Sequence, residues 1–191
     1  MVASESLVGA LVDLGEAISL AIKGGNKLLI FGNGGSAAES QHLAAELVGR
    51  YTGERRALPA VALTADTSVI TAIGNDFAFD SVFARQVEAL GRPGDVALAI
   101  TTSGNSKNVV AAVGVANETG LVTAALTGME GGELLGRVHH LVRVPSTNTQ
   151  RIQESHVAIV HTLCDLIEWH LQRPGAIEPS EVRGGGNAGL D

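Results

Sequence analysis

The chain predicts an α/β protein, a three-layer α/β/α sandwich built on a five-stranded, mainly parallel sheet. Short apolar runs alternate with helical patterns along its whole length. Two of those runs lead directly into turns rich in glycine or in hydroxyl residues. Apolar residues make up 45% of the 191 residues and charged ones 17%, so the chain can bury a large core and is too apolar for a disordered one.

Leu7, Leu11, Leu14, Ile18 and Ile22 recur at spacings of three and four, the pattern of an amphipathic helix, which Gly24-Gly25 closes. Lys27 to Phe31 is an apolar run too short for a helix and bounded by glycine, as suits a buried parallel strand. It enters Gly32-Asn33-Gly34-Gly35-Ser36, and Ala37 to Arg50 then reads as helix. Ala60 to Leu63 is a second strand, Thr67 to Ile73 a short helix, Asp80 to Leu90 a longer one, and Gly91 to Asp95 a turn. Val96 to Ile100 is a third strand, feeding Thr101-Thr102-Ser103-Gly104-Asn105-Ser106 and a helix over Lys107 to Glu118. Leu121 to Leu126 makes a fourth strand, Gly128 to Gly136 a loop with room for one helical turn, and Leu141 to Val144 a fifth strand ended by Pro145. A long helix covers Ile152 to Leu171. Helices are expected on both faces of the sheet, in a flavodoxin-like or Rossmann-like arrangement. Residues 1–173 read as a single domain, and 174–191, with Pro179, Gly184-Gly185-Gly186 and no apolar periodicity, as a flexible C-terminal tail.

The formal charge of −7 and the lack of any basic run longer than Arg55-Arg56 argue against nucleic acid or an anionic membrane as partner. A phosphate bound here must then rely largely on backbone N–H groups and hydroxyls. Cys164 is the only cysteine, which excludes an internal disulfide and a cysteine-based zinc site and points to a reduced compartment. With no basic segment followed by an apolar stretch at Met1 to Glu5, and no run of ~18 apolar residues, the expectation is a cytoplasmic protein.

A helix N-terminus after a glycine-rich turn offers unpaired N–H groups and partial positive charge to an anion. A tight structural turn explains Gly32 to Ser36 equally simply. A P-loop needs Lys and then Ser or Thr after its last glycine, and Ser36-Ala37 stands there instead. A dinucleotide fingerprint fits Gly32, Gly34 and Ala37, but its acidic partner, Asp66, lies too far along the chain, and it leaves Thr101 to Ser106 unexplained. Ser106 has the position of an N-cap, yet four hydroxyls around one strand-to-helix junction exceed what capping needs.

A strand ending in such a Ser/Thr-rich loop resembles the phosphosugar-binding loop of the sugar isomerase (SIS) family. Gly32-Asn33-Gly34-Gly35-Ser36-Ala37-Ala38-Glu39-Ser40-Gln41-His42-Leu43-Ala44-Ala45-Glu46-Leu47, with Gly74-Asn75-Asp76 and Arg151-Ile152-Gln153-Glu154-Ser155-His156, is similar to the phosphoheptose isomerase branch over most of residues 25 to 172. The resemblance implies an aldose–ketose isomerase that converts sedoheptulose 7-phosphate to D-glycero-D-manno-heptose 7-phosphate. It implies phosphate contacts from Ser36, Thr101, Thr102, Ser103 and Ser106, and sugar contacts from Asn33 and Asp76, with Gly34, Gly35, Asn75 and Gln153 also substrate-binding. Arg50 is implied to touch substrate or a neighbouring chain. Glu46 and His161 match the acid/base pair, and His42, Glu46, Gln153 and His161 match the zinc ligands of metal-bound members. A homotetramer with sites at subunit interfaces is implied as well. Gln150 departs from the pattern, standing where some members carry Asp.

The chemistry asks for such residues independently. Moving a proton between adjacent carbons through an enediol requires a base at carbon and an acid/base at oxygen. His42 and Glu46, four apart on one helix, share a face; a surface pair without a ligand is the plainer alternative. His161 alone reads equally as a core histidine, and His139, His140, His156 and His170 as structural or surface residues, with His156 near enough to Gln153 to support it. Gln153 and His161 are eight residues apart, ~12 Å along a continuous helix, too far for one metal. Gln153 is therefore expected at or before the helix start, or the two residues reach the site from different subunits. Rival readings are a non-enzymatic relative that binds the bacterial replication initiator, which would lack a complete acid/base set, and an isomerase of another phosphosugar such as an arabinose phosphate.

Overall fold

A computed structural model describes residues 2–172, so the tail expected over 174–191 lies outside the described residues. The elements run α1 (Val2–Lys23), β1 (Leu28–Gly32), α2 (Gly35–Val48), β2 (Ala60–Ala62), α3 (Thr67–Asp76), α4 (Ala84–Leu90), β3 (Val96–Ile100), α5 (Lys107–Glu118), β4 (Val122–Thr127), β5 (His140–Arg143) and α6 (Thr149–Gln172). The five strands lie in the order β2-β1-β3-β4-β5, and every pairing is parallel.

Alternation along the central strands sorts the core into two layers, because successive side chains of a strand point to opposite faces. Leu28 and Ile30 of β1 and Val96, Leu98 and Ile100 of β3 pack under α1, α2 and α6, together with Leu14, Ile18, Leu43, Leu47, Val160 and Leu163. Leu29, Phe31, Ala97 and Ala99 face the other way, toward Val82, Phe83, Val87, Val109 and Val113. Both faces of β1 and β3 are buried, which is why these strands read as unbroken apolar runs. At the lower edge, buried Asp95 accepts the backbone N–H groups of Lys27 and Arg92 and pairs with the Lys27 ammonium, tying the start of β1 to the turn before β3.

Two of the boundaries that differ from the sequence reading have a clear local cause. Residues 80–90 are not one helix: i→i+3 hydrogen bonds from Ser81 to Ala78 and from Val82 to Phe79 form a 3₁₀ turn over Phe79–Ser81 before α4 begins. That tighter turn carries Val82 and Phe83 together into the core. The last helix starts at Thr149, not Ile152, because the Asn148 carboxamide accepts the Arg151 N–H at 3.1 Å and opens the helix one turn earlier.

The chain winds from β1 outward to β2 and from β3 in the other direction to β4, so the order reverses between β1 and β3. A crevice opens at the carboxyl ends of those two strands, where doubly wound sheets bind ligands. Gly32 and Ile100 pair across it, and a Cβ on Gly32 would lie 2.5 Å from the Ile100 carbonyl and 2.8 Å from the Ser36 Cβ. Gly32→Ala is expected to lower stability by ~2 kcal/mol in urea unfolding, since backbone must move to admit the methyl. An unchanged midpoint would contradict this packing.

Candidate active site

Two loops flank the crevice. The first runs from Gly32 into α2, where Gly34 adopts φ +58° and caps the helix without a side-chain hydrogen bond. Ser36 is buried in the first turn. The second is Thr101 to Ser106. Ser106 occupies the N-cap position of α5, but its hydroxyl makes no cap hydrogen bond and lies 3.4 Å from the Thr101 hydroxyl. No side chain caps either helix at the two walls of this crevice, although in α2 the Ser36 and Ala37 N–H groups already donate to the Asn33 and Gly34 carbonyls. Ser103 accepts the Asn105 N–H, and Gly104 sits at φ +70°, where a Cβ would lie 2.0 Å from the Gly131 carbonyl. Thr102, Ser103, Gly128, Ser146 and Thr147 line an adjoining groove of about 200 Å³.

Asn33 bridges the walls. Its side-chain amide donates to Asn108 at 2.8 Å and accepts from Asn108 at 2.9 Å, so it is held in place by α5. Asn75 and Asp76 pair with each other at 2.7 Å at the exposed end of α3, which extends three residues further than the sequence indicated. Arg50, just beyond α2, is exposed. Asp66, the acid of the dinucleotide alternative, caps α3 by accepting the Val69 N–H.

The remaining candidates are set by two helices that lie side by side and run in the same direction. A Cβ on Gly35 would meet the Gln153 carboxamide at 2.7 Å, and seven residues further along α2 His42 meets His161 of α6. His42 Nε2 is 3.3 Å from Glu46 Oε1 and 3.4 Å from His161 Nε2, with the two imidazoles edge to face. Gln153 is the fifth residue of α6, inside the helix and not at or before its start. It therefore stands ~12 Å from His161 along one regular helix, a separation that would strain the side-chain reach of both toward a single metal.

Among the described residues no group of three or more His, Cys, Asp or Glu side chains is arranged to hold a metal ion. The donor chemistry nevertheless suits zinc in part. The two measured separations match the ~3.3 Å edge of a tetrahedron with zinc–nitrogen bonds of ~2.05 Å.

Between these contacts lies a pair that sequence reasoning missed. Glu39 and His156 are buried, with Glu39 Oε2 3.7 Å from His156 Nδ1 and no hydrogen-bond partner for either atom. His156 Nε2 lies 3.4 Å from the Thr127 carbonyl, at the end of β4. Burial pushes the Glu39 carboxyl up to about 7 and the His156 imidazole down, the latter opposed by the Thr127 carbonyl. A signal for Glu39 was present: it falls on the buried stripe of α2 with Ser36, Ser40, Leu43 and Leu47, where a carboxylate is out of place.

A second buried charge closes the far end. Glu168 of α6 accepts Arg55 Nε at 2.8 Å, the Thr52 hydroxyl at 2.9 Å and the Gly53 N–H at 3.3 Å. Burial pushes its carboxyl up, but these hydrogen bonds and the Arg55 charge outweigh that and leave it below the usual range. Arg55 also donates to the carbonyls of Glu46 and Leu47, which closes the C-terminal end of α2.

This doubly wound α/β fold has the switch point at which such sheets bind ligands, and residues 2–128 match the SIS domain family. The chain is 56% identical over 158 residues to a phosphoheptose isomerase of Aquifex aeolicus, covering 83% of each chain, and 59% identical over 148 residues to one of Geobacter metallireducens, covering 78% of each. The solved phosphoheptose isomerase of Neisseria gonorrhoeae superposes with a TM-score of 0.82 at 46% identity, over 87% of this chain and 89% of that one. The chain belongs to the phosphoheptose isomerase family, a family of isomerases.

Glu39 binds its proton more tightly folded than unfolded, so its burial weighs against the fold increasingly as pH rises from the ordinary 4.5 through about 7. Glu39→Gln is expected to raise stability by ~1–3 kcal/mol at pH 8 and little at pH 5, read from urea unfolding at both. An equal effect at the two pH values would contradict the assignment.

Proposed function

We propose that the protein isomerises D-sedoheptulose 7-phosphate to D-glycero-D-manno-heptose 7-phosphate through an enediol, in cytoplasmic heptose synthesis for a surface glycan or a heptose-derived metabolite. The observation that carries this reading is the contact of His42 with both Glu46 and His161, in a fold whose switch point holds two uncapped helix starts. Ser36, Thr101, Thr102, Ser103 and Ser106 hold the phosphate with first-turn N–H groups, which suits a chain of net negative charge. Asn33, Gly34, Gly35, Asn75, Asp76 and Gln153 contact the sugar. Glu46 removes the proton from C1 of the ketose and returns it to C2, while His161 moves the proton between the two enediol oxygens. The presence of both favours the enzyme over a relative that only binds the replication initiator.

The site is shared between chains. His42 lies ~10 Å and Glu46 ~16 Å along α2 from Gly35, so the acid/base cluster of a protomer stands well away from its own phosphate crevice. An open-chain heptose phosphate, with C–C bonds of ~1.5 Å and the C–O–P ester beyond C7, spans about 10 Å, short of the ~16 Å rise to Glu46. A neighbouring chain that brings its His42, Glu46 and His161 to the crevice would shorten that distance, and exposed Arg50 is free to contact substrate or such a neighbour. Val8, Val12, Leu20, Val48 and Val157 are exposed apolar side chains that a homotetramer would cover. His42, Glu46 and His161 would hold one zinc ion together with Gln153 of the neighbour. When bound, zinc would polarise the enediol oxygens; Glu46 would keep its second oxygen for the proton, and His161, holding the ion through Nε2, would have only Nδ1 for proton transfer.

In deuterated water the protein should convert sedoheptulose 7-phosphate to the aldose with deuterium at C2, followed by NMR. Glu46→Gln should lower kcat by ~10³-fold, within the range set by loss of a general base. Chelation should suppress turnover and zinc restore it. Absence of exchange in the folded protein supplied with zinc would overturn the substrate assignment.

A further inference from the structure

The ring of Tyr51 stacks on His161, with centroids 5.7 Å apart and planes 28° from parallel, while His42 meets the same imidazole edge-on at 5.0 Å and 87°. His161 is thus held between two rings at nearly right angles, and its tilt is set by both. Tyr51 itself is half-buried and packs against the core layer formed by α1, α2 and α6. It belongs to the loop that follows α2, which has no regular secondary structure to fix it.

That loop is fixed by charge. Glu168 receives three hydrogen bonds from Thr52, Gly53 and Arg55, all within four residues of Tyr51. Arg55 adds bonds to the carbonyls of Glu46, Leu47 and Arg56. The side chains of Arg55 and Glu168 are 11% and 5% exposed, so the pair is shielded from the screening that weakens surface ion pairs. One guanidinium therefore links the backbone of Glu46 to the helix that carries His161 seven residues upstream of Glu168. A lysine could not do this, having one point charge where the fork of Arg55 serves several acceptors in fixed directions.

We propose that Tyr51 is a positioning residue for the isomerase reaction, its ring setting the orientation of His161, and that the buried Arg55–Glu168 pair is the clamp that holds Tyr51 there. The proposal rests on the reading of Glu46 and His161 as the acid/base pair. Proton transfer at the enediol oxygens demands an imidazole aimed within a narrow angle, and misplacement of a catalytic group by ~1 Å is enough to cost up to about a hundredfold in rate.

The test compares Tyr51→Leu with Tyr51→Phe in the full-length protein as purified, with His161→Gln as reference. Tyr51→Leu should lower kcat by about tenfold to a hundredfold with KM little changed. Tyr51→Phe, which keeps the ring, should recover most of that loss. In histidine-labelled protein the carbon-bound imidazole protons of His161, assigned by their disappearance in His161→Gln, should move downfield in Tyr51→Leu as the ring current is lost and stay in place in Tyr51→Phe. An unchanged kcat in Tyr51→Leu, an equal loss in Tyr51→Phe, or an unmoved His161 resonance in Tyr51→Leu would each overturn the proposal. Retained turnover in His161→Gln would instead overturn the acid/base reading, while the resonance would still report whether Tyr51 stacks on His161.

Discussion

The parallel contact of α2 with α6 is the constraint on which the rest of the site depends. Along it, Gly35 admits Gln153, Glu39 faces His156, His42 meets His161, and the end of α2 is joined through Arg55 to Glu168. On α2 the steps from Gly35 to Glu39, His42 and Glu46 are four, three and four residues, each close to one helical turn, so these positions share one side of the helix. Glycine at position 35 is needed because a methyl there would press on the Gln153 carboxamide. The apolar residues between these contacts, Leu43, Leu47, Val160 and Leu163, supply the burial that keeps the helices together.

This contact places two unlike environments in one seam. Glu39 and His156 are dry, lack partners for the atoms that face each other, and are shifted toward their neutral forms. Glu168 and Arg55 are equally buried, but every oxygen of the carboxylate has a donor, and the ionised form is favoured. The half-exposed cluster of His42, Glu46 and His161 lies along the seam between them. A polar site flanked by buried charge on one side and a neutralised pair on the other is held rigidly while remaining open to a ligand.

Much of this was legible in the sequence because periodicity reports burial. The five strands, the two strand-to-helix loops and the five or more turns of α6 follow from apolar runs of strand length and from spacings of three and four. What periodicity cannot report is which helix lies against which. Glu39 reads as a polar residue of α2 until α6 is placed beside it, and Tyr51, Arg55 and Glu168 carry no motif because they meet only through tertiary packing. The start of α6 is hard to place from sequence because Asn148 acts through a side-chain cap, a local signal set in the polar stretch Ser146 to Arg151 where any of several residues could serve. The earlier start places Gln153 inside α6, eight residues from His161 on the same helix.

The central claim is that one chain supplies the phosphate crevice and another the acid/base cluster. Its most direct measurement is complementation between two inactive variants, one with Thr101→Val and Ser106→Ala in the crevice and the other with Glu46→Gln, unfolded together and refolded as hybrids. If the site is shared, random pairing of chains restores up to about one quarter of the wild-type activity. Hybrids of confirmed mixed composition that stay as inactive as their parents would show that each chain completes its own site, and would contradict the account.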